Sequence, residues 1–408
     1  MKKTALLLST YPFKVPRHGG QIRLDSIATA YRDAGWNLVS LAVYESESHG
    51  PELLSPNDVP FNFDSPYRFY KGDRAIPMIT DLLSGAFACA EDGGFAHIRS
   101  KLPERIDVIH VEQPWLWPLA KKIRALAQYS NCLLIYGSQN IEEPLKRDIF
   151  QSYGIVGADD ALQEILELEQ AAAREADIAL AVTNSDLAII RSWGAENAML
   201  AANGISHWQA TQENLSTWKE KLPDAPWILY VASAHPPNFT GFVSCVGDTL
   251  GCIPPDSRLV VAGSVCEHLY RELAKTRWHS LNLSRMQLLY VLSDEDLAAV
   301  KSLAHAFLLP IPHGGGSNIK TAEAIYSGKH VIGSETAFRG FEDYLDLPQI
   351  NVARNPRDFQ QFMRSLLSED QGNTADAGSD TRKALLWSET LANIPREAEK
   401  LLNKSCVA

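Results

Sequence analysis

Short apolar runs recur along this chain, spaced so that a helix fits between most neighbouring pairs. That alternation narrows the fold more than any other feature. Residues 5–8 (Ala-Leu-Leu-Leu) form such a run, closed by the proline- and glycine-containing stretch 11–20. Apolar residues at helical spacing follow over 22–34 (Ile22, Ile27, Ala28, Ala30, Tyr31). Gly35 ends that helix, and 37–43 reads as a second strand. Strand, helix and strand in about forty residues make a βαβ unit, which demands a parallel sheet. Further strands are expected at 106–111, 132–136, 178–182 and 198–202. A second series runs through 227–232, 257–262, 286–291, 306–310 and 329–333.

A chain of 408 residues holds two or three domains at roughly 150 residues each. The expected architecture is α/β: two Rossmann-like, doubly wound domains facing a central cleft. The first spans 1–210 and the second 227–380. Residues 211–226 are polar and read as a linker, 369–380 as a loop, and 381–408 as a C-terminal helix returning toward the first domain. Ligands of such sheets bind at the carboxyl ends of the strands. The net charge of −11 argues against a nucleic-acid partner, which selects a basic surface. The six cysteines contain no C-x-x-C pair, which fits a reducing, cytoplasmic setting with neither a disulfide framework nor a zinc site. No apolar stretch approaches the ~18 residues of a membrane span. The apolar run after Met1-Lys2-Lys3 is too short for a signal peptide and reads as a buried strand.

The most informative segment is Pro310-Ile-Pro-His-Gly-Gly-Gly-Ser-Asn-Ile-Lys-Thr-Ala-Glu-Ala-Ile-Tyr-Ser-Gly328, followed by an apolar strand. A buried strand ends at Pro310, and a helix is expected to start near Ser317 or Asn318. Gly314, Gly315 and Gly316 let a ligand approach the backbone closely. The unpaired N–H groups and dipole of a helix start attract an anion. Lys320 is unfavourable in the first turn of a bare helix but well placed to neutralise a phosphate. Glu323, one turn on, could accept hydrogen bonds from a ribose diol. The bland alternative is a flexible turn with a solvated Lys320–Glu323 pair. The segment is neither a Walker A loop nor a G-x-G-x-x-G fingerprint. An esterase-type oxyanion loop is excluded because the chain has no G-x-S-x-G elbow.

The segment resembles the donor-binding signature of group 1 (family 4) glycosyltransferases of GT-B fold. The matching residues are Gly315, Gly316, Lys320, Glu323-Ala324, Gly328 and Val331-Ile332, and 336–342 resembles the following loop. Pro16-Arg-His-Gly-Gly20 with Arg23 resembles the N-domain glycine loop that faces the donor phosphates. Ser138-Gln-Asn-Ile-Glu142 resembles an acceptor-side block, Asn203-Gly204 the end of the N-domain, and 230–238 the opening of the C-domain. The resemblance implies transfer of a sugar from a nucleoside-diphosphate sugar with retention. It implies a diphosphate held by backbone, lysine and helix dipole, with no metal or other cofactor. Donor contacts then fall on Gly19, Gly20, Gly315, Gly316, Ser317, Asn318, Lys320, Thr321 and Glu323. Lys320 would stabilise the leaving phosphate, and Arg17, His18, His110, Gln139 and Asn140 are the acceptor-side candidates.

The chain also departs from that pattern. Gly315 stands where many members have a glutamate that contacts the donor sugar. Gln139 stands where a histidine is common, and the loop 233–239 lacks the basic pair found there. These departures motivate an alternative: a catalytically silent GT-B subunit that binds or scaffolds. Asp294-Glu295-Asp296 has the D-x-D form of a metal site but reads as a helix start after Ser293. Trp115 and Trp117 read as packing residues, and Asn238 as a helix cap. Two short basic clusters, Lys121-Lys122-Ile-Arg124 and Lys146-Arg147, leave a peripheral membrane contact open. The acceptor, whether glycan, lipid or small molecule, is not legible.

Overall fold

A computed structural model describes residues 2–313, 316–368 and 378–405. The chain divides into two compact units, Met1–Ala202 with Trp387–Ala408 and Asn203–Leu386. Among the described residues, thirteen strands form two sheets, one in each unit. The expected α/β chain with two doubly wound sheets describes the molecule.

The first sheet holds β1 (Thr4–Ser9), β2 (Asn37–Glu45), β3 (Val59–Phe61), β4 (Val108–Glu112), β5 (Leu133–Ser138), β6 (Ile178–Ala181) and β7 (Ala198–Leu200). They lie in the order β3-β2-β1-β4-β5-β6-β7, and every pairing is parallel. Leu6 of β1 sits opposite Val39 on one side and Ile109 on the other. With helices on both faces, β1 is buried along its whole length. This is why it reads as a continuous apolar run and not as an alternating one.

The second sheet holds β8 (Trp227–Val231), β9 (Arg258–Ala262), β10 (Met286–Tyr290), β11 (Ala306–Leu309), β12 (His330–Ser334) and β13 (Ile350–Ala353). Its order is β10-β9-β8-β11-β12-β13, again all parallel. The strand order reverses between β1 and β4 in one unit and between β8 and β11 in the other. The loops leaving those neighbours diverge, which opens a crevice at the carboxyl ends.

Residues 211–226 are not an irregular linker. Thr211 caps a helix over Gln212–Lys221, its hydroxyl accepting the N–H of Asn214 at 3.1 Å. Trp218 is buried there and donates its indole N–H to Asp296 at 2.8 Å. Polar composition hid a short amphipathic helix anchored by Trp218, with Leu215 packed against the same core. The segment belongs to the second unit, which starts at Asn203. At the other end, the helix Asn393–Ser405 groups with the first unit. It packs against the helix Gly19–Asp33, and Glu399 forms an ion pair with Lys3. The loop expected at 369–380 lies largely outside the described residues. No described helix is long and apolar enough to cross a membrane.

Candidate functional site

In the second unit, the loops after β8 and β11 flank the switch point. The loop after β8 leads into the helix Pro236–Val246, whose N-cap position is His235. Asn238 is not its cap: the side-chain amide folds back to the carbonyl of Ser233 at 2.9 Å. Gly241 lies on this helix, and a Cβ there would stand 2.5 Å from Cγ of Pro312. Only a glycine lets the helix come that close to the loop after β11.

That loop delivers the chain to the helix Ile319–Tyr326. Asn318 is its N-cap, with Oδ1 accepting the N–H of Lys320 at 3.0 Å. The Asn318 side chain thus serves the helix itself. Gly315 lies outside the described residues. Gly316 takes a left-handed φ of +57°, and its carbonyl accepts Nε of Arg339 at 2.6 Å. The Ser317 carbonyl accepts Nδ2 of Asn203 at 3.1 Å. The Ser317 hydroxyl is buried and has no hydrogen-bond partner among the described residues. Thr321 requires a correction: it is fully buried and its hydroxyl donates to the carbonyl of Ala337 at 2.7 Å. It ties the helix to the 334–338 turn and has no free group for a donor.

Lys320 and Glu323 do not form the solvated i, i+3 pair of a bare helix. Glu323 Oε1 instead accepts Nζ of Lys301 at 2.8 Å, from the helix Asp294–Leu303. Among the described residues, no carboxylate comes within ion-pair reach of the Lys320 ammonium. Burial lowers its pKa from the ordinary 10.5, and the more distant Glu323 charge opposes this only in part. A partly buried ammonium, a hydroxyl without a partner and a helix N-terminus make an anion-binding arrangement, with a carboxylate one turn away. Sequence reasoning missed Lys301 and gave Arg339 and Asn203 no role. The latter two sit inside stretches whose sequence resembled the glycosyltransferase signature, which was the available signal.

In the first unit, the loops after β1, β4 and β5 bring polar groups together above a buried network. Tyr11 donates its hydroxyl to Oε1 of Gln139 at 3.3 Å, and Nε2 of Gln139 donates to Oε2 of Glu112 at 3.0 Å. Gly20 makes this possible, because a Cβ there would collide with the Tyr11 hydroxyl. Gly19 is exposed at the start of the helix Gly19–Asp33. Glu112 also takes Nε of Arg23 at 2.9 Å and meets Nε2 of His110 at 3.1 Å. Gly137 leaves room for that carboxylate, since a Cβ there would overlap it. Burial works against the Glu112 charge, but Arg23 and His110 outweigh it and hold the carboxyl down at about 2.

Two expectations are corrected here. His110 is fully buried, with Nδ1 at 3.2 Å from the Tyr31 hydroxyl, so it is a core residue and not an exposed acceptor contact. Arg23 is also buried and binds the carbonyl of Ala201 at 2.8 Å as well as Glu112, so its charge is used inside the unit. A place near the end of a strand suggested exposure for His110, but Tyr31 of the helix Gly19–Asp33 packs against its ring. Arg17 and His18 keep exposed surface, and the partial desolvation of the His18 ring, with His49 nearby, lowers its pKa.

Asn140 Nδ2 and Gln113 Nε2 both reach Oε1 of Glu142, at 3.4 and 3.0 Å. Gln113 holds a φ of +65° to do so, a conformation disfavoured for any residue with a side chain. Burial pushes Glu142 up to about 7 and its neighbour Glu169 up to about 8. Glu169 accepts the N–H groups of Glu142 and Glu143 at 2.7 and 3.0 Å, closing the start of the helix Glu142–Tyr153. Trp115 and Trp117 are core residues. In Asp294-Glu295-Asp296, Ser293 caps the helix at 3.1 Å and Asp296 bonds Trp218 and Ser293. Among the described residues, no group of His, Cys, Asp and Glu is arranged to hold a metal ion.

No family model matches the chain, and no curated protein matches it in sequence. Solved structures do match in shape. Sucrose-phosphate synthase from Thermosynechococcus elongatus superposes with a TM-score of 0.72 at 15% identity, over 99% of this chain and 100% of that one. HepE from Anabaena, solved with UDP and glucose, gives 0.66 at 13%, over 98% and 100%. The catalytic domain of starch synthase IV from Arabidopsis thaliana, solved with ADP and acarbose, gives 0.60 at 12%, over 100% of each chain. At such identities the likeness is one of fold, and the fold is GT-B, with two Rossmann-like units.

Proposed function

We propose that this chain is a glycosyltransferase that takes a sugar from a nucleoside-diphosphate donor held by its second unit and transfers it with retention. One observation carries the reading. At the switch point of the second sheet, a capped helix start presents Lys320, with no carboxylate bound to it among the described residues, and Glu323 one turn further along the helix. A diphosphate supplies the missing counter-charge, and the ribose of the same ligand reaches the carboxylate. The neighbours solved with UDP or ADP support this choice of ligand class.

In the chemical step, negative charge grows on the departing diphosphate. The Lys320 ammonium, the Ser317 hydroxyl and the N-terminus of the helix Ile319–Tyr326 stabilise that charge in place, without reorganising solvent. Holding the donor beside the acceptor supplies much of the remaining advantage. The acceptor stays unassigned.

The test is calorimetric titration with UDP, ADP and GDP, followed by incubation with their sugar conjugates. Lys320→Ala is expected to abolish nucleotide binding. Unchanged affinity for every nucleotide in that variant would sink the reading. The departures at Gly315 and Gln139 favour a second reading, a silent binding subunit. It would be supported by tight binding with neither transfer nor slow hydrolysis, and excluded by any glycosyl product.

A further inference from the structure

Glu323 is held by a residue that lies 22 positions earlier in the chain, and that residue has no other evident task. Lys301 sits on the helix Asp294–Leu303 and is nearly buried, its side chain 8% exposed against 26% for Glu323. A lysine is rarely buried this far without a purpose, because ordering and desolvating it is costly. Its ammonium meets Oε1 of Glu323 at 2.8 Å and lies 5.8 Å above the ring of Trp208. The second carboxylate oxygen, Oε2, has no partner among the described residues.

From this we infer that Lys301 is a positioning residue for recognition of the donor ribose: it fixes the Glu323 carboxylate so that Oε2 accepts from the sugar's vicinal hydroxyls. The inference rests on the proposed donor reading. Three residues of helix separate Lys320 from Glu323, a rise of about 4.5 Å, so a phosphate at one leaves a ribose near the other. Lys301 contributes in two ways. It removes the rotational freedom that Glu323 would otherwise lose on binding. It also neutralises a carboxylate that would stand within one turn of a bound diphosphate and repel it.

The experiment compares binding of UDP, ADP and GDP with their 2′-deoxy and 3′-deoxy counterparts, in the native chain and in Lys301→Met, Lys301→Arg and Glu323→Gln. Thermal unfolding confirms that each variant is folded. The native chain is expected to prefer the ribonucleotide by about tenfold to a hundredfold, the range for a hydrogen bond to a charged group. Lys301→Met should collapse that preference, Lys301→Arg should largely keep it, and Lys301→Met combined with Glu323→Gln should do no further damage than Glu323→Gln alone. Equal weakening of ribo- and deoxynucleotides in Lys301→Met, with the preference intact, would make Lys301 merely structural and overturn the inference. Absence of any nucleotide binding by the native chain would instead overturn the donor reading beneath it.

Discussion

The Arg339 guanidinium donates through Nε to the carbonyl of Gly316 at 2.6 Å, clamping the last turn before the helix Ile319–Tyr326. Gly316 is in the left-handed region, where a chain without that clamp has many alternatives. Arg339→Met should therefore weaken nucleoside-diphosphate binding by about tenfold, the lower end for a charged hydrogen bond. Arg339 is half-buried, so a parallel melting curve separates lost affinity from lost stability. Calorimetric affinity with a parallel melting curve checks this; unaltered affinity would show that the turn keeps its shape unaided.

Lys320 gives binding a definite pH dependence. Burial lowers its pKa in the free protein, and a bound diphosphate raises it again. Affinity is therefore full below the lowered value and falls as pH climbs from there toward the ordinary lysine value of 10.5. Titrations across the alkaline range should show that decline in the native chain. Lys320→Met should bind weakly at every pH, with no such slope. A flat native profile would remove Lys320 from the anion site.

The first unit carries an opposite pair of pH effects. Glu142 and Glu169 titrate at about 7 and about 8 in the folded chain, against an ordinary 4.5. Between those limits the folded state holds protons that the unfolded state has lost, so stability falls as pH rises through the window. Glu112, held at about 2, works the other way: its contribution is present above 4.5 and lost as pH falls toward 2. Glu169→Gln should flatten the decline on the alkaline side while leaving the acid side unchanged. Chemical denaturation at several pH values separates the two; an unchanged slope in the variant would refute the assignment.

Arg23 and Glu112 are both almost wholly buried, so breaking their pair strands a charge. Arg23→Met should destabilise the chain by about 3–5 kcal/mol, the usual cost of leaving such a partner uncompensated. Arg23→Met together with Glu112→Gln should recover part of the loss, since the stranded charge is then gone. Denaturant midpoints for the two variants measure the difference. A double variant no better than the single one would place the cost in lost packing.

How far each feature could be read in advance follows from how local its cause is. The strands 4–9, 227–231 and 306–309 stand out because both faces are buried, which leaves an apolar run bounded by turns. The edge strands Val59–Phe61 and Ile350–Ala353 escape notice because they are only three and four residues long. The helix start at Asn318 is legible because capping chemistry is local. The Lys301–Glu323 pair, the Arg339 clamp and the burial of His110 arise from packing between elements distant in sequence, where no periodicity points. Gln113 in a left-handed conformation is invisible for the same reason: its strain is imposed by the turn that brings its amide to Glu142.

The second unit occupies one uninterrupted stretch, Asn203–Leu386, whereas the first is assembled from two. On the ribosome, the inserted unit can complete its sheet while its host still lacks the helix Asn393–Ser405. Until that helix is synthesised, the surface that receives Leu391, Ile394 and Ala398 stays uncovered, and Lys3 lacks its Glu399 partner. A chain cut short before Asn393 therefore leaves an apolar face of its first unit without the helix that covers it.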